Sequence, residues 1–242
     1  MLVLMTGTWT TAEEVAGLPL HVTRLDPRAV RLWVGDYISS TAVVAFATSK
    51  GIVVVDTMGN PKIDSELRNI IARELGRTDF KTLIITHEHG DHTGGSSVYA
   101  DCTIVGHDLL AVGMDSTAAN RQRHIEWLQK SIQESKQKLA QLQPGSPEAK
   151  KLKEEMIFNR LNLDALESNV KPVPPIKTFT DRLKLPMGDT TFELYYIGGM
   201  HSASDIAVFG PEHGLLLTGD TMADRWLTDT PGCLASFMVR GG

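Results

Sequence analysis

The chain is short of cysteine, of basic residues and of long apolar runs. Cys102 and Cys233 are the only cysteines in 242 residues. They could pair, but two thiols so far apart in sequence leave the compartment open. No apolar stretch approaches the roughly 20 residues that cross a bilayer, which argues against a membrane partner. Met1 to Thr11 begins with a short apolar run but carries no positive charge, the first arginine being Arg24, so no signal peptide is visible in the chain. Lys and Arg number 24 against 29 Asp and Glu, a net charge of −5. Without a basic stripe, nucleic acid is disfavoured as the main partner, although a strong metal site can still act on phosphodiesters. The remainder is ordinary for a globular protein, 42% hydrophobic and 22% charged. The length suits one large core or two small ones, and a single domain over 1–242 is expected.

Against that background the histidines stand out. There are eight, and three fall in Thr86-His87-Glu88-His89-Gly90-Asp91-His92, directly after the apolar run Leu83-Ile84-Ile85. Imidazole and carboxylate are ordinary ligands of divalent zinc, at about 2.0–2.2 Å. Leu83 to Thr86 reads as a short buried strand, and Gly90 lets the chain turn as the strand ends. On an extended backbone His87 and His89 project to the same side. Asp91 and His92 follow the glycine and can aim at a second, adjacent position. A polar turn rich in histidine by coincidence is the competing explanation, and the crowding argues against it.

Elsewhere the periodicity changes along the chain. His21–Leu25 and Val30–Val34 alternate about a turn at Asp26-Pro27; Thr41–Thr48 and Ile52–Val55 are β-branched runs joined at Ser49-Lys50-Gly51. Ile63 to Leu75 has helical spacing and stops at Gly76, and a short helix is expected from Gly95, then a strand at Thr103–Val105. Residues 117 to 168 are rich in Gln, Lys, Glu and Leu, broken by Pro144-Gly145-Ser146-Pro147. Ile125, Leu128, Ile132, Leu139 and Leu142 fit an a/d frame, as do Ala149, Leu152, Met156, Leu163 and Leu166, which predicts an antiparallel helical hairpin. It is either a helical excursion packed on the domain, a lid, or an oligomer contact. Strands return at Leu183–Leu185, Thr191–Ile197, Ile206–Phe209 and Leu215–Leu217. Helix-covered sheets in both halves predict a four-layer α/β arrangement with ligands delivered from strand ends.

Two further points match the first cluster. His201 sits on the loop Gly198-Gly199-Met200-His201-Ser202 between strands, and Asp220 follows Leu215-Leu216-Leu217 through Thr218-Gly219. Either alone would be an unremarkable loop histidine or cap aspartate. Together with Val55-Asp56-Thr57 and the H-x-H-x-D-H run at 87–92, and in that order, they resemble the metallo-β-lactamase superfamily from about Tyr37 to Asp220. The resemblance implies an α/β fold, the four-layer αββα sandwich, with a one- or two-zinc site between its sheets. It implies His87, His89 and His201 on a first zinc ion, Asp91 and His92 on a second, and Asp220 bridging them. Asp56 would support the site from behind.

One departure from the family pattern concerns the second metal. A last histidine usually follows the bridging aspartate at some distance, but only 22 residues follow Asp220 and none is histidine. Either the natural chain continues past Gly242, which is preferred, or another of His107, His124 and His213 substitutes, or the second metal is weak. Histidine at 89 favours zinc hydrolysis over the iron redox chemistry of relatives with glutamate there; Glu88, one position off, should point away. Aspartate at 220 resembles the thioesterase, lactonase and nuclease branches, while His201-Ser202 with Asp205-Ile206-Ala207-Val208 also resembles the lactamase branch. The implied activity is hydrolysis of an ester, thioester, lactone or amide of a small molecule, β-lactams included, by metal-bound hydroxide, with Asp91 as the catalytic carboxylate. A metal-dependent phosphodiesterase or nuclease and a non-catalytic metal-binding relative are the alternatives. Ser202 and Ser204 read as loop residues, and Trp33, Tyr37, Trp226 and Phe237 as packing before cleft aromatics.

Overall fold

The histidine run can converge with His201 and Asp220 only if two distant stretches of strand face each other, and they do. The structure, a computed structural model, describes residues 13–37, 41–168 (backbone only at 116–119) and 170–222. Strands β1 (Glu14–Val15), β2 (Leu18–Asp26), β3 (Ala29–Val34), β4 (Val43–Thr48) and β5 (Gly51–Val55) form an antiparallel meander. The β2–β3 turn is fixed by the Arg28 amide, which donates to Asp26 Oδ1 at 2.6 Å. Helix α1 (Pro61–Leu75) then crosses to β6 (Phe80–Ile84), which pairs parallel to β5. Helix α2 (Gly90–Thr93), a 3₁₀ turn (Ser96–Tyr99) and β7 (Thr103–His107) follow. Helices α3 (Leu110–Ala119), α4 (Arg121–Leu139) and α5 (Pro147–Glu167) precede β8 (Lys177–Phe179), the eighth strand of this sheet in simple 1-to-8 order. Strands β9 (Arg182–Pro186), β10 (Thr191–Tyr196), β11 (Ile206–Gly210) and β12 (Leu215–Leu217) build a second, antiparallel sheet.

Alternation along the strands sorts the core into two layers. Ile52 and Val54 of β5 face outward into a cluster with Ile63, Leu67 and Ile71 of α1, whereas Val53 and Val55 face Phe192, Leu194, Ile206 and Val208 of the small sheet. Each of these fully buried side chains stabilises by about 1.5–3 kcal/mol relative to exposure. Helix α1 has strong ends. Asn60 accepts from the amides of Lys62 and Ile63, Pro61 opens the first turn, and Gly76 closes it in the left-handed region. The small sheet has no helix between its consecutive strands, and its outer face carries Lys184 paired to Glu193 at 2.7 Å.

The helical hairpin predicted over 117–168 is present as α4 and α5, with Leu128, Ile132 and Leu163 in a small core flanked by Ile125 and Leu166. Leu161 of α5 enters the main core beside α1, so α5 is the inner helix of the pair. The helical region starts earlier than predicted, at Leu110, because α3 mixes small and apolar residues with no 3.6-residue contrast to read. No helix among the described residues is long and apolar enough to cross a membrane.

Candidate metal centre

Strand ends supply every candidate ligand. Asp56 follows β5, the histidine run follows β6, His201 lies on the β10–β11 loop, and Asp220 is in the 3₁₀ turn (Gly219–Met222) after β12. The parallel strands β5 and β6 thus present their carboxyl ends, the usual place for a site in an α/β sheet. The β11 end of the small sheet is fastened there, the Ile206 amide donating to the Thr86 carbonyl at 3.0 Å.

Five of the six residues implied as ligands gather into two adjoining groups that share His87. His87, His89 and His201 each offer a ligand atom within 4.8 Å of the others, and His87, His92 and Asp220 do the same. His89 Nδ1 lies 3.0 Å from His201 Nε2. Asp220 sits between the groups, with Oδ1 3.3 Å from His92 Nε2 and Oδ2 3.6 Å from His201 Nε2. Ligands bound at about 2.0–2.2 Å in a tetrahedron stand roughly 3.4 Å apart, so these separations suit a metal. Asp91 is looser: its Oδ2 is 3.6 Å from His92 Nε2, and its side chain is about half exposed at 53%. It borders the second group without completing a three-ligand set.

His87 gives the sharpest sign that the donors are set for an ion. Its Nε2 is buried with no hydrogen-bond partner, a state that costs about 1–3 kcal/mol unless something takes the lone pair. Thr86 Oγ1 donates its single proton to Asp56 Oδ2 at 2.8 Å, so at 3.1 Å from His87 Nδ1 it must accept from that nitrogen. The proton is therefore on Nδ1, and Nε2 is bare. Burial, then the neighbouring His92, push the His87 imidazole down to about 4, which keeps it neutral and able to ligate.

Asp56 orients the second group in the same manner. Its backbone is left-handed, with φ 62°, a cost accepted in return for placement of its carboxylate. Oδ1 accepts from the Thr86 amide at 2.8 Å, and Oδ2 lies 3.0 Å from His92 Nδ1, leaving Nε2 to face Asp220. Burial alone would lower the His92 imidazole, but the Asp56 and Asp220 carboxylates hold it well above the usual range. Burial alone would raise Asp220; its hydrogen bond to His92 and that ring's charge bring it down to about 2. A metal taking His92 Nε2 would displace this proton. Gly219 permits the approach of the two sheets: its φ is 53°, and a Cβ there would lie 2.7 Å from Thr86 Oγ1.

Other sequence candidates go elsewhere. His107 Nε2 is 2.8 Å from the Thr180 carbonyl and its ring stacks on Tyr196; His213 Nδ1 is 2.5 Å from Asp26 Oδ2. His124 is on α4, so none of the three substitutes for a missing ligand among the described residues. Trp33 is buried and stacked on His21, as packing predicts, and Tyr37 lies at the foot of the β3–β4 loop. Cys102 is a buried free thiol; Cys233, Trp226 and Phe237 lie outside the described residues.

One neighbour escaped the sequence reading, and a second, Glu88, has partners it did not foresee. Thr41 Oγ1 donates to Asp91 Oδ2 at 3.1 Å and lies 3.2 Å from His92 Nε2. Nothing in Ser39-Ser40-Thr41 marks it out in advance. Glu88 does turn away from the ligands, and it meets the His201 loop. Burial would raise its carboxyl, but hydrogen bonds from Ser204, Ser202 and the Ala203 amide bring it down to about 2.

The fold is also found in known proteins. The described strands resemble those of a metallo-beta-lactamase from Pontibacter korlensis at TM-score 0.52 and 19% identity, over 88% of this chain and 79% of that one. A metallo-beta-lactamase from Erythrobacter litoralis gives TM-score 0.50 and 15% identity, over 90% and 77%. In sequence the chain is 23% identical over 201 residues to the 2,4-dinitroanisole O-demethylase subunit alpha of Nocardioides sp. (strain JS1661), covering 81% of this chain but only 45% of that relative's length. The model of the metallo-beta-lactamase superfamily matches residues 34–231, and the chain belongs to that superfamily.

Proposed function

We propose that the chain is a zinc-dependent hydrolase of a small molecule, cleaving an ester, thioester, lactone or amide bond. The observation that carries this reading is the buried, proton-free Nε2 of His87, a residue whose ligand atom lies within 4.8 Å of those of His89 and His201. His87, His89 and His201 would hold one zinc ion, His92 and Asp91 a second, with Asp220 between them. All-nitrogen-and-oxygen donors of this kind suit zinc better than softer metals. Zinc, when bound, supplies an acidified water at neutral pH and a Lewis-acid contact for a carbonyl oxygen.

The chain's own groups do the rest. Asp91, tethered through Oδ2 by the Thr41 hydroxyl, accepts the proton of the attacking water and returns it to the leaving group. Its exposure gives it room to face both partners. Asp56, buried behind His92, keeps that ring from turning. No serine is required as nucleophile, since Ser202 and Ser204 are taken up by Glu88 and Asp205. Exposed Met200, next to His201 in sequence, and Met222, two residues past Asp220, would offer apolar contact to a substrate.

The test is metal analysis of the purified protein with a turnover screen. Its substrates are nitrophenyl esters, a thioester, a lactone, a β-lactam, a phosphodiester and, for the relative's name, 2,4-dinitroanisole. His89→Ala should lose bound zinc and at least about a hundredfold in kcat/KM, or about 2.7 kcal/mol of transition-state stabilisation. Full turnover in metal-stripped protein defeats the reading. Cleavage confined to the phosphodiester or the aryl methyl ether would redirect the substrate class.

A further inference from the structure

The ligands of the first group come from two sheets, and His201 is the one carried on a loop. Asp205 shapes that loop locally: Oδ2 accepts from the amides of His201 at 2.6 Å and Ser202 at 2.8 Å. Such a turn is tied to the end of β6 at its far side, where the Ile206 amide donates to the Thr86 carbonyl. Glu88 fixes the 202–204 segment itself. Its Oε2 accepts from the Ser204 amide at 3.2 Å and from Ser204 Oγ, and lies 2.8 Å from Ser202 Oγ, whose one proton it shares with Asp205 Oδ1 at 2.6 Å, while Oε1 accepts from the Ala203 amide at 3.0 Å. Ser204 is fully buried. From the other side α3 presses on the same carboxylate stem, for a Cβ at Gly113 would fall 2.3 Å from Glu88 Cγ. Glu88 stands between His87 and His89 in sequence, so whatever it holds is held to their backbone.

We propose that Glu88 is a positioning residue of the first metal group, acting through the 201–204 loop to set the distance of His201 from His87 and His89. This inference rests on the metal reading of those three histidines. An outer partner that orients a ligand is worth about 10–100-fold in metal affinity. The Asp205 turn and the Ile206–Thr86 bond remain without Glu88, so the loop keeps its shape and its anchor at β11 but loses the hold on residues 202–204.

The experiment is a zinc titration of metal-stripped protein against a chromophoric chelator, on wild type, Glu88→Ala, His201→Ala and the double variant, with circular dichroism on each. Glu88→Ala should weaken the first equivalent of zinc by about 10–100-fold. In the double variant the loss should equal that of His201→Ala alone, because Glu88 acts only through that ligand. A general structural role predicts additive losses instead, and additivity overturns the proposal. So does unchanged affinity in Glu88→Ala while wild type binds zinc. If wild type binds none, the metal reading itself has failed, and the proposal with it. Should Glu88→Ala not fold, Ser204→Ala, which removes one of the four contacts, should give a few-fold loss that vanishes in the His201→Ala background.

Discussion

Buried carboxylates of this protein have separate tasks at the scale of single residues, and their protonation separates them. Asp64 of α1 is wholly buried and accepts from the amides of Met58 at 2.8 Å and Asn60 at 3.2 Å, which ties down the segment after Asp56. Burial pushes its carboxyl up to about 7, against the pull of those two amides; Tyr99 and Arg68 stand in the same region. Its value in the unfolded chain is near 3.9, so the folded state binds the extra proton between these limits. The stabilisation is therefore fully present below about pH 4 and is lost as pH rises through about 7. Asp64→Asn does not titrate. In chelator-treated protein, the stability of wild type relative to this variant should fall by on the order of 3 kcal/mol between pH 5 and pH 8.5. Urea denaturation at the two pH values measures it, and a constant difference would show that Asp64 is ionised throughout. None of this was legible from the sequence, where Asp64 is one more acidic residue in a first helical turn. The metal ligands were legible because metal binding constrains residue type and spacing together, which a buried carboxylate does not.

At the scale of elements, the helical hairpin is tied to the rest of the molecule by more than its apolar seam. Glu154 of α5, only 8% exposed, accepts from the amides of Asp36 at 2.9 Å and Tyr37 at 2.8 Å through the same oxygen. Those amides lie just past β3, at the start of the connection that leads to Thr41 and β4. Asn162 of α5 similarly meets Asn60, the cap of α1, at 3.3 Å. Glu154→Ala would remove two charge-assisted hydrogen bonds to part-buried amides, a cost of about 2–4 kcal/mol, while Glu154→Gln keeps an oxygen in place and should cost under about 1 kcal/mol. For a domain of this size that is about 4–16 °C and under about 4 °C in melting temperature, readable by scanning calorimetry. Equal, small shifts in both would mean that the hairpin stands apart from the β3–β4 connection. Heptad spacing found the hairpin and its inner residues Leu128, Ile132 and Leu163, because a helix seam repeats in sequence. It could not find Glu154, whose partners are backbone groups 117 and 118 positions away.

For the whole molecule, the site is where the two sheets meet. His87, His89 and His92 extend from the large sheet, and His201 and Asp220 from the small one. Order along the chain revealed that these stretches belong together, yet which oxygen of Asp220 faces which histidine depends on sheet packing and is absent from any local pattern. A bound ion would therefore join the sheets as well as hold water, and folding stability should follow metal concentration. Free zinc at a hundred times its dissociation constant stabilises by about 2.7 kcal/mol, or about 5–11 °C for a domain of 150–250 residues. Stripping the metal with a chelator should lower the melting temperature by that amount, and zinc should restore it. The shift should disappear in a His87→Ala, His201→Ala double variant, which removes one donor from each sheet. A zinc-dependent shift that survives in that double variant would place the stabilising ion somewhere other than the sheet junction.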